Sequence, residues 1–124
     1  MSKQIVVLLN RQILIAYENG AKVFEFHCAT GDENHATDVG RFKIFRKHRA
    51  YTSRKYNVPM DYAMFFTYDG KAIHKSHMVF PISILKYFGF NSFGSRGCVR
   101  LSDEDARKLF DWTPMGTTVE VRYV

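Results

Sequence analysis

The sequence predicts a mostly β domain with one or two short helices. Short apolar stretches alternate with polar positions, which is the period of a half-buried strand. Two strong hairpin dipeptides, Asn19-Gly20 and Asp69-Gly70, lie between such stretches. The aromatic content is 15%, which favours strands and a well-filled core. At 124 residues the chain is long enough for one such domain and too short for two, so we expect a single domain over residues 1–124.

The N-terminal half predicts four strands, the first three joined by tight turns. In the fourth, Phe42 and Ile44 are expected to face the core, because they alternate with charged residues. The basic stretch 46–60 has no such period, so we expect a long loop there. The expected strands cover residues 4–9, 12–17, 22–29 and 40–45.

The C-terminal half predicts a hairpin, an irregular insert, a helix and a last strand. The helix begins at Ser102, a residue type that caps helices, and acidic residues fill its first turn. Its expected apolar face is Ala106, Leu109 and Phe110. The hairpin strands are expected at 63–68 and 71–74, the insert at about 75–94 with a possible short helix at 82–88, and the last strand at 118–123.

Composition limits the classes of function. The formal net charge of +6 suits a polyanionic partner, but no nucleic-acid-binding motif accompanies it, and we expect no nucleic acid partner. No stretch approaches the length of a membrane span. The apolar run 5–9 is too short for the core of a secretory leader, and two cysteines cannot form a disulfide framework. Taken at face value, the sequence predicts a soluble chain with reduced thiols.

Cys98 is the strongest candidate for chemistry. It lies in the fragment Ser-Arg-Gly-Cys-Val-Arg, between Arg96 and Arg100 and shortly before the predicted helix. Cations and helix N-termini lower the pKa of a thiol and make it a better nucleophile at neutral pH. Gly97 lets the backbone turn, so that its amide and the amide of Cys98 can face a developing oxyanion. The alternative is a buried structural cysteine, for which so polar a setting is a poor choice.

The remaining cysteine and the five histidines have three different expected roles. Cys28 follows two phenylalanines at a spacing of two, so we expect it to be inert in the core. His74 ends the second strand of the Asp69-Gly70 hairpin, where a rigid element would hold a general base. His77 is its rival, three residues further on. The histidines expected at the surface are His27, His35 and His48.

Metal and cofactor binding are not expected. The sequence has no C-x-x-C and no H-E-x-x-H, and His74 and His77 are only a pair, whereas a zinc site needs three or four ligands. The glycines around Ser95 match neither a P-loop nor a dinucleotide fingerprint.

Taken together, these residues resemble the YkuD-type L,D-transpeptidase catalytic domain. Members of that family carry an I-H-G-like strand end, then S-[HKR]-G-C-[IV]-R-[LM], a short helix and a G-T-x-V strand. The N-terminal half resembles the family as well, in its opening hairpin, its S-T-G turn, its T-P-x-G-x-F stretch and its M-P-Y strand. The matching positions here are Ile73-His74, Ser95 to Leu101, Gly116 to Val119, residues 5–18, Ala29 to Gly31, Thr37 to Phe42, and Met60 to Met64.

The resemblance implies a β-sandwich-like fold with a catalytic cysteine on a loop before a short helix. It implies acyl transfer on peptidoglycan stem peptides: Cys98 attacks the carbonyl before a terminal D-alanine, and His74 takes the thiol proton. The amides of Gly97 and Cys98 would form the oxyanion hole. The implied substrate-binding residues are Ser95, Arg96, Arg100 and His77.

There are three departures from the family pattern: two of them, Lys75 and the long stretch before Cys98, bear on substrate specificity, and Asp38 is a milder change in a loop. Lys75 stands where the family has glycine, Asp38 stands where it has proline, and the stretch between His74 and Cys98 is longer than in compact members. The acyl acceptor therefore stays open. An amine of a second stem peptide would give a cross-link, and water would make the protein an L,D-carboxypeptidase. A non-catalytic wall-binding module is a third reading.

Location stays open as well. The family implies the periplasm or the cell wall, whereas a chain without a leader would be cytoplasmic.

Overall fold

The computed structural model describes residues 2–30, 37–52, 59–76 and 98–124. Over these residues the protein is mostly β, with nine strands in two sheets and one short helix, as the sequence predicts. The strands are β1 (Lys3–Leu8), β2 (Ile13–Glu18), β3 (Ala21–His27), β4 (Gly40–Lys43), β5 (Arg46–His48), β6 (Ala63–Phe65), β7 (Ala72–Lys75), β8 (Val99–Leu101) and β9 (Thr118–Arg122), and the helix is α1 (Asp103–Trp112).

The larger sheet has the strand order β3-β2-β1-β9-β4, and the smaller has the order β5-β6-β7-β8. Two pairings are parallel, β1 with β9 and β7 with β8, and the others are antiparallel. The inner faces of both sheets and the apolar face of α1 share one core. Its largest fully buried side chains include Ile5, Leu14, Ile44, Met64, Ile73, Leu101 and Leu109.

The helix begins as its sequence predicts. The Ser102 hydroxyl accepts a hydrogen bond from the Asp105 amide at 3.3 Å, and three acidic residues occupy the first turn. Ala106, Leu109 and Phe110 are buried against the sheets. The hairpin at Asn19-Gly20 also forms as predicted, with both residues at positive φ.

Two strands, β5 and β8, are not expected from the sequence, and β4 and β6 are shorter than expected, ending at Lys43 and Phe65. The predicted loop 46–60 begins with β5, which pairs antiparallel with β6. All three residues of β5 are basic, so no apolar position marks it as a strand. The inward-facing residue is Lys47, whose ammonium bonds to carbonyl groups at the end of α1. In addition, β8 separates Cys98 from the helix. Lys75 belongs to β7, so the expected insert starts later, and residues 77–97, with the possible helix at 82–88, lie outside the described residues.

Lys47 supplies the cation that the last turn of α1 lacks in its own sequence. Its ammonium donates to the Phe110 carbonyl at 2.7 Å and to the Thr113 carbonyl, and burial lowers its pKa. Replacing Lys47 with methionine keeps most of the apolar stem but leaves these carbonyls without their donor. We expect a loss of about 1–3 kcal/mol in the free energy of unfolding, measured by urea denaturation.

Lys43→Met is the matched control, since Lys43 lies on the exposed face of β4. A loss for Lys47→Met no larger than that of the control would show that the lysine does not cap the helix.

Candidate active site

Cys98 immediately precedes β8 in the smaller sheet, and His74 lies on β7, the parallel neighbour of β8. In the β7–β8 register Ile73 is opposite Val99 and His74 is opposite Arg100. Continuing that register by one residue places Cys98 opposite Ala72. Cys98 is therefore a diagonal neighbour of His74, with Cα atoms about 8 Å apart for ideal strand spacing. Both side chains can reach into the space between them.

The two side chains also share one face of the sheet. Ile73, Val99 and Leu101 belong to the core between the sheets. Since side chains alternate along a strand, Ala72 and His74 on β7 point to the opposite, outer face. Cys98 packs there too, in a cluster that includes Ala72. The pairing of β7 with β8 thus brings together the two residues that sequence analysis singles out.

The ring of His74 is held by the backbone of its own strand. It is buried, with 6% of the residue exposed, and its Nδ1 lies 2.7 Å from the carbonyl oxygen of Lys75. A carbonyl can only accept, so this contact assigns the proton to Nδ1. In the neutral ring Nε2 is then the basic nitrogen, as a general base requires.

The sulfur of Cys98 lies against the β6–β7 turn. The thiol donates to the Gly70 carbonyl at 4.0 Å, and the Ala72 N–H is a donor to the sulfur when it is ionised. Burial raises the pKa of Cys98, and the Ala72 N–H, Arg100 and Lys71 lower it only in part. Within the described surroundings desolvation therefore exceeds the effect of the cations on the pKa of Cys98, while Arg96, the other cation expected to act on it, lies outside the described residues.

The helix N-terminus does not compensate for this burial. α1 starts beyond β8, whereas Cys98 precedes that strand. The apolar face of the helix packs on the core side of the sheet, away from the outer face that carries the thiol.

Arg100 sits beside the catalytic candidates on β8. Its backbone exchanges two hydrogen bonds with Ala29, at 2.9 and 3.0 Å, and these join β8 to the segment after β3. Arg100 is half buried, and burial lowers the pKa of its guanidinium. A cation in this position can pair with a carboxylate of a bound peptide.

The outer face continues away from the thiol as an aromatic and cationic surface. Arg46 is opposite Phe65 in the β5–β6 pairing, and its guanidinium lies 4.1 Å from the centre of that ring. Tyr51 packs edge-on against Phe65 and stacks on His48. Sequence analysis assigns His48 to the surface, but it is half buried, because Tyr51 covers it.

The other candidate residues divide into those the structure places and those it does not describe. Cys28 is fully buried in the core, and His27 is exposed, as the sequence predicts. His35, His77, Ser95, Arg96 and Gly97 lie outside the described residues.

Neither a metal cluster nor a membrane-crossing helix is found in the part of the chain that the structure describes. There, no three His, Cys, Asp or Glu side chains come close enough together to hold a metal ion. The helix there is too short and too polar to span a bilayer.

Comparison with known proteins agrees with this arrangement. A family model described as the L,D-transpeptidase catalytic domain, YkuD, matches residues 2–121. A search of curated proteins gave no match. Among solved structures, an L,D-transpeptidase from Stackebrandtia nassauensis is 31% identical, with a TM-score of 0.84, and the match covers 98% of this chain and 55% of that one.

Two further L,D-transpeptidase structures share the fold. One, from Xylanimonas cellulosilytica, is 25% identical, with a TM-score of 0.80 and coverage of 97% and 60%. L,D-transpeptidase 1 from Mycobacterium tuberculosis is 22% identical, with a TM-score of 0.75 and coverage of 98% and 62%. The chain spans little more than half the length of these relatives. The match of the family model to nearly the whole chain shows that it belongs to the YkuD family of L,D-transpeptidase catalytic domains.

Proposed function

We propose that the protein catalyses acyl transfer on peptidoglycan tetrapeptide stems through a thioester on Cys98. One observation carries the proposal: Cys98 and His74 share the outer face of paired strands, and the contact with the Lys75 carbonyl fixes the imidazole tautomer. This is the arrangement of a nucleophile, a base and a group that orients the base. Membership of the family supports the choice of substrate.

In the first half of the reaction, Nε2 of His74 takes the proton of the Cys98 thiol. The sulfur then attacks the carbonyl carbon that links the diamino acid to the terminal D-alanine. As the tetrahedral intermediate collapses, the carbon–nitrogen bond breaks and His74 returns the proton to the leaving amine. D-alanine departs, and the tripeptide stays on Cys98 as a thioester.

In the second half, an amine of another stem peptide attacks the thioester carbonyl. It gives a proton to His74, and the thiol is regenerated as the cross-link forms. Water in place of the amine would release a tripeptide, which is the L,D-carboxypeptidase reaction. The raised pKa of Cys98 favours base-assisted transfer over a pre-formed thiolate, because the resting sulfur is a thiol at neutral pH.

The residues around this pair have supporting roles in the proposal. The amides of Gly97 and Cys98 hold the oxyanion, and Arg100 pairs with a carboxylate of the stem. On the resemblance to the family, Ser95, Arg96 and His77 are the further residues proposed to bind the substrate. Because such a reaction takes place on the wall, the proposal includes a location in the periplasm or the cell wall; a carboxypeptidase that trims recycled peptides would instead work in the cytoplasm.

Product analysis tests the proposal. The protein is incubated with a disaccharide-tetrapeptide, with and without an amine acceptor, and the products are followed by mass spectrometry. A cross-linked dimer supports the transpeptidase, and tripeptide alone identifies a carboxypeptidase. If neither product nor an acyl adduct on Cys98 forms, the proposal fails and a non-catalytic wall-binding module is left.

A further inference from the structure

Lys71 lies immediately before β7, between the two backbone groups that contact the Cys98 sulfur. Its ammonium is 2.8 Å from a carboxylate oxygen of Asp38 and 2.9 Å from one of Asp69. Asp38 precedes β4 of the larger sheet, and Asp69 belongs to the β6–β7 turn. Only 16% of the Lys71 side chain is exposed. We call Asp38, Asp69 and Lys71 the Lys71 cluster.

The β6–β7 turn is fixed by its own hydrogen bonds. The Thr67 hydroxyl donates to the Asp69 carboxylate and accepts from the Lys71 amide at 2.9 Å. Gly70 has a φ of +97°, which favours glycine at this position. The carbonyl of Gly70 and the N–H of Ala72 are the groups that meet the sulfur, so a shift of Lys71 would move both.

Among the described residues, titratable groups lie around the Cys98 sulfur on β7, on β8 and in the β6–β7 turn. Arg100 lies on β8, which follows Cys98, His74 lies on β7, and Lys71 and Asp69 lie in the β6–β7 turn, while Asp38 acts through its ion pair with Lys71. Arg96 lies outside the described residues. Burial lowers the pKa of Lys71, but its two carboxylate partners outweigh that effect and raise the pKa above its ordinary value. Lys71 therefore stays charged throughout the neutral and mildly alkaline range.

We propose that Lys71 is a positioning residue for the nucleophile: clamped by Asp38 and Asp69, it keeps a positive charge at the β6–β7 turn and holds the backbone groups of that turn that contact the Cys98 sulfur. Asp69 has the opposite electrostatic effect on the sulfur and limits the gain from Lys71. The inference rests on the proposed function only in taking Cys98 as the nucleophile. The positive charge of Lys71 lowers the pKa of the Cys98 thiol, and the negative charge of Asp69 raises it.

The test measures the rate at which iodoacetamide alkylates Cys98 between pH 6 and 10, followed at the peptide level by mass spectrometry. Lys71→Met removes the positive charge, so the thiol pKa rises by about half a unit to one unit, and alkylation at pH 7 slows by about three- to tenfold. Lys71→Arg keeps the charge and is expected to restore the wild-type profile. Asp69→Asn removes a negative charge while its amide can still bond to Thr67, so alkylation becomes faster.

Opposite effects of the two variants distinguish a charge effect from simple loosening of the turn. Lys22→Met, on β3 and paired with Glu25, is the control and leaves the profile unchanged. If Lys71→Met matches the wild type, or if it and Asp69→Asn both slow alkylation, the proposal is overturned. If Lys71→Met does not fold, unchanged or slower alkylation of Asp69→Asn contradicts it. Failure of the proposed function has a different signature: no acyl transfer by the wild type, whatever the alkylation rates.

Discussion

Replacing Cys98 with alanine is expected to abolish turnover of the tetrapeptide, with a loss of at least about 10³-fold in kcat. Among the described residues, the Cys98 sulfur is the nucleophile placed beside His74, and neither His74 nor Arg100 can form a thioester in its place. The variant should fold normally, because Cys98 is half buried at a sheet face rather than in the main core. Release of D-alanine measures the loss, and circular dichroism confirms the fold.

Cys28→Ala is the matched control. Cys28 is fully buried in the core, so the substitution is expected to cost about 1 kcal/mol of stability and to leave kcat largely intact. The reverse pattern, with activity lost in Cys28→Ala and kept in Cys98→Ala, would refute the assignment of the nucleophile.

Replacing His74 with glutamine is expected to lower kcat by about 10²- to 10⁴-fold. The dependence of the rate on pH tests whether His74 is the base. In the wild type, His74 takes the proton of the thiol, and the rate rises with pH as the Cys98–His74 pair reaches its reactive state. Without His74 the reaction depends on ionisation of the thiol itself, and burial raises the pKa of Cys98. The residual activity of the variant should therefore appear only at distinctly higher pH.

His27→Gln serves as the control, because His27 is exposed on β3 of the other sheet. It is expected to have wild-type kcat and an unchanged profile. A flat pH–rate profile in the wild protein, or the same profile in His74→Gln, would contradict the pairing of His74 with Cys98.

The sequence is sufficient to predict the features that depend on local pattern. The hairpin at Asn19-Gly20, the Ser102 cap and the buried face of α1 all follow from residues close to one another in the chain. The strands β5 and β8 could not be found in this way. Each has three residues, and each exists because of a partner far along the chain, β6 for one and β7 for the other.

In the candidate site, too, some features follow from local sequence and others depend on the folded structure. Its chemistry was visible in the residue types, but the environment of the thiol depends on burial, which no local pattern reports. At Lys75, by contrast, the sequence suggests a larger change to the site than the structure shows. It stands where the family has glycine, yet it contributes a backbone carbonyl to His74, which a residue of any type provides. Asp38, a mild change in a loop by sequence, forms an ion pair with Lys71 beside the nucleophile.

The most direct test of the account is to detect the acyl-enzyme itself. The protein is mixed with the tetrapeptide in the absence of an amine, quenched with acid within seconds, and analysed as intact protein and as peptides. We predict a mass increase equal to the tripeptide acyl group, mapped to Cys98 and absent from Cys98→Ala, together with one equivalent of released D-alanine. Release of D-alanine with no adduct on Cys98, or with an adduct on another residue, would contradict the account.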